Sequence, residues 1–228
     1  MVSKANHTWK PSLAMSDLFS GPSGQQNILD HGDGLFQIKG LTSLTEMLPH
    51  IEQVAVQSPF RHMMTPMGHA TKVAMTNCGQ QGWIASEQGY GYRSIDPLTG
   101  QPWPTMPEAF YELQQQACRK VDIQHYVPDA CLINRYEIGM SMGRHQDKDE
   151  ANFDEPIVSV SLGLNAIFQV VGATRSGTGR KFLLEDGDVF ILSGPSRLFY
   201  HGVSTIKADP LQPSLTRRYN LTFRRAGH

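Results

Sequence analysis

Cysteine, long apolar runs and net charge are all scarce in this chain of 228 residues. Its three cysteines form no C-x-x-C pair, so neither a disulfide framework nor a thiolate zinc site is indicated, and a reducing cytoplasm is the expected location. No stretch approaches the roughly 20 apolar residues of a membrane span, and the N-terminal residues lack the apolar core of a secretory signal. We therefore expect a cytoplasmic protein that neither spans a membrane nor is exported.

The net charge of −1 argues against a protein that coats nucleic acid through its overall field. Positive charge is nevertheless concentrated in the C-terminal third. It comes from two Arg-Arg pairs and from a loop rich in Gly, Ser and Thr. A local basic patch is therefore expected, and its residues are Arg175, Arg180, Lys181, Arg217, Arg218, Arg224 and Arg225.

The length favours one domain. Residues 1–34 are polar and show no sustained period, which predicts a loosely ordered N-terminal extension before a single domain over 35–228. No internal repeat is visible. We expect a monomer.

Two helices are predicted in the first 121 residues. The first covers 43–58, with Pro49 marking a start or a kink, and the second covers 107–121, with Pro107 suited to the first turn. The segment 63–104 between them is long and aromatic, which is typical of a functional segment rather than a linker. Its aromatic residues are Trp83, Tyr90, Tyr92 and Trp103.

From about residue 130 to 226 the chain consists of short β-type runs separated by turns such as "EDGD" and "LSGPS". Many short strands without intervening helices predict an antiparallel sandwich, barrel or jelly roll, so the fold class is α+β and mainly β. The runs are "ACLINRY", "PIVSVSLGL", "AIFQVVG", "RKFLLE", "GDVFILSG", "RLFYHGV" and "RRYNLTFRR".

The stretch "HQDKDE" offers a candidate metal site. On a strand, His145 and Asp147 would point to the same face and could share one ion. An H-x-D pair is weak evidence, since roughly 0.5 such pairs are expected by chance, and His31 with Asp33 has the same spacing in a context that reads as a turn. The distal His201 would complete a two-histidine, one-carboxylate triad, which leaves adjacent positions open on Fe(II). The alternative for His201 is a half-buried histidine at a strand end.

The last predicted strand places polar residues along one face and apolar residues along the other. Two guanidinium groups and an amide on one face could bind a dianion with two carboxylates. The alternative is a polar outer face of the sheet with a surface arginine cluster. The polar face holds Arg218, Asn220, Thr222 and Arg224, and the packing face holds Tyr219, Leu221 and Phe223.

From about residue 58 to 227 the chain resembles the AlkB family of Fe(II)- and 2-oxoglutarate-dependent nucleic-acid demethylases, especially its bacterial alkylation-repair members. The resemblance rests on long segments rather than on a lone triad. They are "QSPFR", "AMTNCG", "GYGYRSIDP", "PWPTMP", "PDACLINRY", "HQDKDE", "PIVSVSLGL", "SRLFYHG" and "RYNLTFRRAG".

The resemblance implies a double-stranded β-helix core of the jelly-roll or cupin-like type, with flanking helices and a nucleotide-recognition lid over about 63–104. It implies Fe(II) bound by His145, Asp147 and His201. It implies a 2-oxoglutarate pocket formed by Asn134, Tyr136, Arg218, Asn220 and Arg224. Trp83 would stack on the damaged base opposite the ring of His145, and further substrate contacts would come from Thr65, Met75, Tyr90, Tyr92, Asp149 and Arg175.

Two departures from the family pattern stand out. About 15 N-terminal residues precede the usual start, and Gly143 and Arg144 stand directly before His145, where small polar and aliphatic residues are familiar. Neither departure removes a predicted ligand. Arg144 adds a charge next to the predicted iron site, which bears on substrate preference.

The function implied by the resemblance is oxidative demethylation of N-alkylated bases such as 1-methyladenine and 3-methylcytosine. The partner would be single- or double-stranded DNA, or RNA, and the cosubstrates 2-oxoglutarate and O₂. Alternatives are the same chemistry on RNA or a protein side chain, and a non-catalytic cupin-like module that binds nucleic acid through Trp83 and the basic rim. A zinc hydrolase is disfavoured, because the arginine pair would have no role in it.

Overall fold

A computed structural model describes residues 27–227, which form two helices and thirteen strands. The helices are α1 (Leu44–Gln57) and α2 (Glu108–Lys120), and a 3₁₀ helix covers Gly194–Leu198. The strands are β1 (Ile28–Asp30), β2 (Leu35–Ile38), β3 (Ala74–Gly79), β4 (Gly82–Ser86), β5 (Gly89–Arg93), β6 (Ala130–Glu137), β7 (Met142–His145), β8 (Ile157–Gly163), β9 (Ala166–Gly172), β10 (Arg180–Leu184), β11 (Val189–Leu192), β12 (Tyr200–Val203) and β13 (Arg217–Arg224).

The strands form two facing antiparallel sheets and a separate hairpin. The major sheet has the order β1-β2-β11-β8-β13-β6-β3, the minor sheet β10-β9-β12-β7, and β4 pairs with β5 alone. Neighbours such as β13 and β6 are far apart in sequence, as crossing connections between two sheets require. The architecture confirms the prediction of an α+β, mainly β fold with a jelly-roll core.

Strand alternation divides the core into two layers. Leu221 and Phe223 of β13 pack with apolar residues of α1 and α2 on the outer side of the major sheet. Apolar residues of both sheets, such as Leu132 of β6 and Phe168 of β9, meet between the sheets. Each fully buried side chain of this size contributes roughly 1.5–3 kcal/mol. The polar side chains of β13, from Arg218, Asn220, Thr222 and Arg224, therefore face the space between the sheets.

Both predicted helices are confirmed. The Ser43 hydroxyl accepts from the N–H of Glu46, whose carboxylate accepts from the N–H of Ser43, so a capping box fixes the start of α1. The helix continues through Pro49 rather than beginning there. Pro107 is the residue immediately before α2, where its missing N–H is not needed.

The segment boundaries differ in two places from the sequence-based expectation. Residues 28–30 form β1 and pair with β2, so ordered structure begins within the predicted extension; residues 1–26 lie outside the described part of the chain. The predicted lid over 63–104 is also not uniform, because β3 pairs with β6 in the major sheet. Only the hairpin β4–β5 stands apart as its own sheet.

Candidate active site

Two strands of the minor sheet bring the candidate metal ligands together. His145 ends β7 and is the direct cross-strand partner of His201 on β12. Asp147 Oδ1 lies 3.7 Å from His145 Nε2, and Asp147 Oδ2 lies 3.7 Å from His201 Nε2. Among residues 27–227 this is the one group of three or more potential ligands whose donor atoms lie within 4.8 Å of one another.

The prediction that His145 and Asp147 share a strand face was wrong in its geometry. Strand β7 ends at His145, and Asp147 lies in the segment that follows. Asp147 is instead held by its contacts: Arg197 Nη1 donates to its carbonyl oxygen at 2.8 Å, and Arg224 Nη2 lies 2.9 Å from its Oδ2. The close approach of the two side chains is thus produced by a tethered segment without regular secondary structure, not by the period of a strand.

The histidine rings are oriented by main-chain carbonyl groups. His145 Nδ1 lies 2.9 Å from the carbonyl oxygen of Gly143, and His201 Nδ1 lies 2.9 Å from that of Phe199. A carbonyl oxygen can only accept, so Nδ1 carries the proton in both rings. Each Nε2 lone pair is then available to a metal ion, as ordinary metal-site histidines require.

The protonation states also suit metal binding. Burial and the neighbouring His145 lower the pKa of His201 to about 4, although Asp147 opposes this shift. Burial alone would raise the pKa of Asp147, but the charge of Arg224 and the hydrogen bond from that arginine lower it well below its ordinary range. At neutral pH the site therefore presents a neutral imidazole and a carboxylate, the forms that coordinate metal.

His145, Asp147 and His201 line a cavity between the two sheets, and the polar face of β13 lines the same cavity, as the alternation predicted. Arg218 is 1% exposed, and its Nη2 donates to Ser161 Oγ at 2.9 Å. Its Nε and Nη1 are buried and have no hydrogen-bond partner among the described residues. A buried guanidinium with two unused donors is costly unless an anion binds it. The donor set therefore fits a carboxylate such as one end of 2-oxoglutarate.

The remaining predicted cosubstrate residues lie around this arginine. Tyr136 places its ring 4.9 Å from the Arg218 guanidinium carbon. Asn134 Nδ2 donates to Asn220 Oδ1 at 3.3 Å, and Asn220 Nδ2 donates to Ser159 Oγ at 2.8 Å. These amides are held by the cross-strand register of β6, β13 and β8. All of them line the cavity.

The cavity has a volume of about 620 Å³ and lies between the sheets and the hairpin. This volume is within the usual range for small-molecule sites. Its apolar side includes Leu132, Phe168 and Leu192. The predicted substrate residues that line it are Thr65, Met75, Trp83, Tyr90, Asp149 and Arg175.

Trp83 is fixed at both its main chain and its side chain. The buried amide of Asn77 accepts from the N–H of Trp83 and donates to its carbonyl oxygen, each at 3.0 Å. The indole Nε1 donates to Asp149 Oδ2 at 2.7 Å, and the ring stacks on Tyr90 with centroids 5.7 Å apart. The indole is therefore a positioned aromatic surface at the mouth of the cavity.

Tyr92 does not line the cavity, in contrast to the other predicted substrate residues of the hairpin. Its hydroxyl donates to Glu150 Oε1 at 2.6 Å. Glu150 is buried and also accepts from Arg197 Nη2 at 3.0 Å, while Arg224 Nε lies 3.3 Å from its Oε1. Glu150 thus links the hairpin to the arginines that hold Asp147.

Sequence reasoning did not single out Glu150 and Arg197. Glu150 ends an acidic run, which is typical of a solvated loop, yet it is 6% exposed, and Arg197 is 2% exposed. The sequence offered one indirect signal. An acidic run beside a candidate metal ligand needs a cationic partner if it is buried, and such a partner could have been sought among the arginines.

The expected basic patch is smaller than the sequence indicated. Arg218 and Arg224 are buried in the cavity, and Arg217 pairs with Glu137 at the surface. The loop residue Arg175 remains at the rim of the cavity.

Neither helix within residues 27–227 has the length and apolar character of a membrane-spanning segment.

Comparisons with known proteins agree with this geometry. Residues 34–224 match the model of the 2OG-Fe(II) oxygenase superfamily. The chain is 47% identical over 213 residues to "Alpha-ketoglutarate-dependent dioxygenase AlkB" of Escherichia coli (strain K12), covering 93% of this chain and 99% of that protein. It is 29% identical over 173 residues to "DNA N(6)-methyladenine demethylase ALKBH1C" of Arabidopsis thaliana, covering 64% of this chain and 38% of that protein.

The fold has a close match among solved structures. The structure of OsALKBH1 has a TM-score of 0.75 to this chain at 28% sequence identity, covering 87% of this chain and 99% of that chain. The His-Asp-His cluster and the buried arginine in one cavity are the donor set that iron and an oxo acid require. The chain therefore belongs to the AlkB family of Fe(II)- and 2-oxoglutarate-dependent dioxygenases.

Proposed function

We propose that this dioxygenase removes alkyl groups from N-alkylated bases, such as 1-methyladenine and 3-methylcytosine, in DNA. The observation that carries the proposal is the position of Trp83, a fixed aromatic surface at the mouth of the cavity that His145, Asp147 and His201 also line. An aromatic ring at that place suits a planar base. The relatives, one named a dioxygenase and the other a DNA demethylase, support the same chemistry.

Within this proposal, His145, Asp147 and His201 hold Fe(II) through two Nε2 atoms and one carboxylate. Arg218 binds one carboxylate of 2-oxoglutarate with its unused donors, and Arg224, beside Asp147, binds the other. Asn134, Tyr136 and Asn220 complete the pocket. When bound, Fe(II) would supply the oxidation: one O₂ would convert 2-oxoglutarate into succinate and CO₂ and hydroxylate the N-methyl carbon of the base, after which the hydroxymethyl group would leave the restored base as formaldehyde.

The protein's own share is recognition and orientation. A methylated Watson–Crick edge weakens pairing, so such a base is cheaper to flip out of a helix than an intact one. Stacking on Trp83 would contribute roughly 1–3 kcal/mol to holding the flipped base. Asp149, which accepts from the Trp83 indole, would meet the edge of the base. Arg175 at the rim would contact the phosphate backbone, and Thr65, Met75 and Tyr90 would shape the wall.

The test is repair of a single-stranded oligonucleotide that carries one 1-methyladenine. The protein is reconstituted without oxygen, supplied with Fe(II) and 2-oxoglutarate, and then exposed to air. We expect formaldehyde and an oligonucleotide lighter by one methylene, and loss of both products in His145→Ala and Arg218→Ala. Arg217→Ala is the matched control, because Arg217 is the neighbour of Arg218 on β13 but points outward to Glu137.

Other outcomes would point elsewhere. If 2-oxoglutarate were consumed while the DNA stayed methylated, the substrate would be sought in methylated RNA or protein. Contacts to a sugar 2′-hydroxyl would separate RNA from DNA. Oligonucleotide binding without any turnover would favour a non-catalytic binding module. A monomer in the cytoplasm remains a prediction, which sedimentation and cell fractionation would check.

A further inference from the structure

The loop between β9 and β10 needs an external tie to hold a fixed shape. Residues 173–179 have no regular secondary structure, and Gly177 and Gly179 lie within them. Gly172, just before the loop, and Gly177 both have φ of +120°. Glycine at such positions lets the backbone sample many conformations. Arg175, which lines the rim of the cavity, is part of this loop.

Arg144 supplies this tie from another strand. It lies on β7, directly before His145, and its Nη1 donates to the carbonyl oxygens of Arg175 at 3.3 Å and Gly177 at 3.1 Å. Among residues 27–227, Arg144 is the one side chain outside the loop that donates to the loop's carbonyl groups. A second side-chain bond of the loop, from Thr174 Oγ1 to the carbonyl oxygen of Ser176, is internal to it.

Arg144 lies on a strand that packs closely against its neighbour. Strand β7 is the edge strand of the minor sheet and pairs with β12 beside the candidate metal ligands. The Cα of Gly202 on β12 lies so near β7 that an added Cβ would meet the carbonyl oxygen of Met142 at 2.8 Å. A charged donor makes stronger bonds to carbonyl groups than a neutral donor.

We infer that Arg144 is a positioning residue that fastens the loop 173–179 to β7, so that Arg175 is held over the cavity for the phosphate backbone of the substrate. This inference rests on the proposed function and deepens it. It assigns a role to the charge that departs from the family pattern beside His145. Arg144 acts through Arg175 and does not itself take part in the oxidation.

The first test is independent of any substrate. Arg144→Met keeps a long side chain but removes the donors, and amide hydrogen exchange is then followed by mass spectrometry. We expect faster exchange in 173–179 and no change in the β10–β11 turn at 185–188, which Arg144 does not contact. Arg119→Met, an exposed arginine on α2, is the control. Unchanged exchange in the loop would show that Arg144 does not hold the loop, even if the enzyme repaired DNA.

The second test is a double-mutant cycle with Arg175→Ala, read in the KM and kcat for the methylated oligonucleotide and in its binding by fluorescence anisotropy. We expect Arg144→Met to raise KM about fivefold to tenfold, with a smaller fall in kcat. In the Arg175→Ala background the same change should have an effect below twofold, because its target is already absent. Fully additive effects would show that Arg144 acts on the substrate directly and would overturn the inference.

The two tests also separate this inference from the proposed function. If the wild-type protein neither bound nor demethylated the oligonucleotide, the proposed function and the substrate half of the inference would fall together. The exchange experiment would still decide whether Arg144 holds the loop.

Discussion

Asp96 shows how one buried carboxylate can anchor a segment. Its side chain has 0% exposure and accepts from Ser58 Oγ at 2.6 Å, from Arg61 Nη2 at 2.7 Å and from the N–H of Leu98 at 2.8 Å. Burial alone would raise the pKa of Asp96, but the bonds from Ser58 and Leu98 and the charge of Arg61 lower it below its ordinary value of 3.8. The carboxylate thus joins residues just after α1 to those just after β5.

Asp96→Asn should therefore lower the free energy of unfolding by about 2 kcal/mol at pH 7, because charge-assisted hydrogen bonds are lost. A carboxyl group whose pKa falls on folding stabilises the native state above its unfolded pKa, and that stabilisation is lost as the pH falls through the folded pKa. Urea unfolding at pH 7 and near pH 3 measures the free energy of unfolding of wild type and variant. The difference between the two proteins should be smaller near pH 3 than at pH 7.

The control for this prediction is Asp154→Asn, since Asp154 is exposed. A gap of equal size at both pH values would contradict the ionic role of Asp96.

At single positions, the sequence was informative where the alternation of a real strand applied, and it was misleading for His145 and Asp147, because β7 ends at His145. Arg218 and Arg224 could be assigned to one face because β13 alternates strictly, and the structure places both in the cavity. The burial of Glu150 could not be predicted, because it depends on Tyr92 and Arg197, which are distant in sequence. Pairing between remote charges leaves no local pattern.

Strand β12 illustrates how close two elements must approach to bring the proposed metal ligands together. Gly202 follows His201, and a Cβ there would lie 2.8 Å from the carbonyl oxygen of Met142 and 3.2 Å from the N atom of Arg144. Both atoms belong to the backbone of β7, which cannot yield as a flexible side chain would. A larger residue would separate β7 from β12 and His145 from His201.

Gly202→Ala should cost about 1–3 kcal/mol of stability, the usual range for overpacking, and should weaken metal binding by at least tenfold. Thermal unfolding and a metal titration would measure the two effects. Gly143→Ala on β7 is the matched control, because nothing lies within 4 Å of an added Cβ there. Equal behaviour of the two variants would refute the close-approach argument.

One hydrogen bond, from Tyr92 to Glu150, links the hairpin β4–β5 to the buried Arg197 and Arg224. Tyr92→Phe removes the donor to Glu150 and should lower the free energy of unfolding by roughly 1.5–3 kcal/mol, since the acceptor is a buried carboxylate. Amide exchange in Gly89–Arg93 should become faster. Tyr90→Phe should change neither quantity appreciably, because the Tyr90 ring stacks on Trp83 without its hydroxyl; similar losses in both variants would argue against the link.

Elements were predictable where the period was clear. Both helices and the strands β6 and β8–β13 follow from spacing, whereas β1–β5 were missed and β7 lies outside the seven predicted runs. β3 carries Thr76, Asn77 and Cys78, polar and small residues that are buried because they pair with β6 and bond to Ser58 and Trp83. Polar side chains satisfied by distant partners hide a strand from a hydrophobicity pattern.

Across the whole molecule, the two histidines proposed as metal ligands and the arginines proposed to bind the cosubstrate belong to different sheets. His145 and His201 lie on the minor sheet, and Arg218 and Arg224 lie on the major sheet. Binding both groups should therefore stabilise the sandwich as a unit. The antiparallel jelly roll was predictable as a class, but which strands face each other across the cavity depends on long-range pairing that no single segment encodes.

Mn(II) with 2-oxoglutarate should raise the melting temperature by roughly 5–10 °C at concentrations near 100 Kd. Ligand binding at that level contributes about 2.7 kcal/mol, and each kcal/mol shifts the midpoint of a domain of this size by roughly 2–4 °C. Differential scanning fluorimetry would record the shift. Asp147→Ala should abolish it and Arg217→Ala should retain it; a full shift in Asp147→Ala would place the metal elsewhere.

The separate hairpin sheet has a consequence for how this enzyme can diverge. The strands of Gly82–Ser86 and Gly89–Arg93 hydrogen-bond to each other and join the sandwich through Asn77 and Glu150. A descendant gene could accumulate changes in the exposed turn at Glu87 and Gln88, or replace Tyr90, while inheriting the oxidising centre intact. Selection for a new lesion would then act on a short stretch of the gene, and the anchoring positions Asn77 and Tyr92 would record common ancestry.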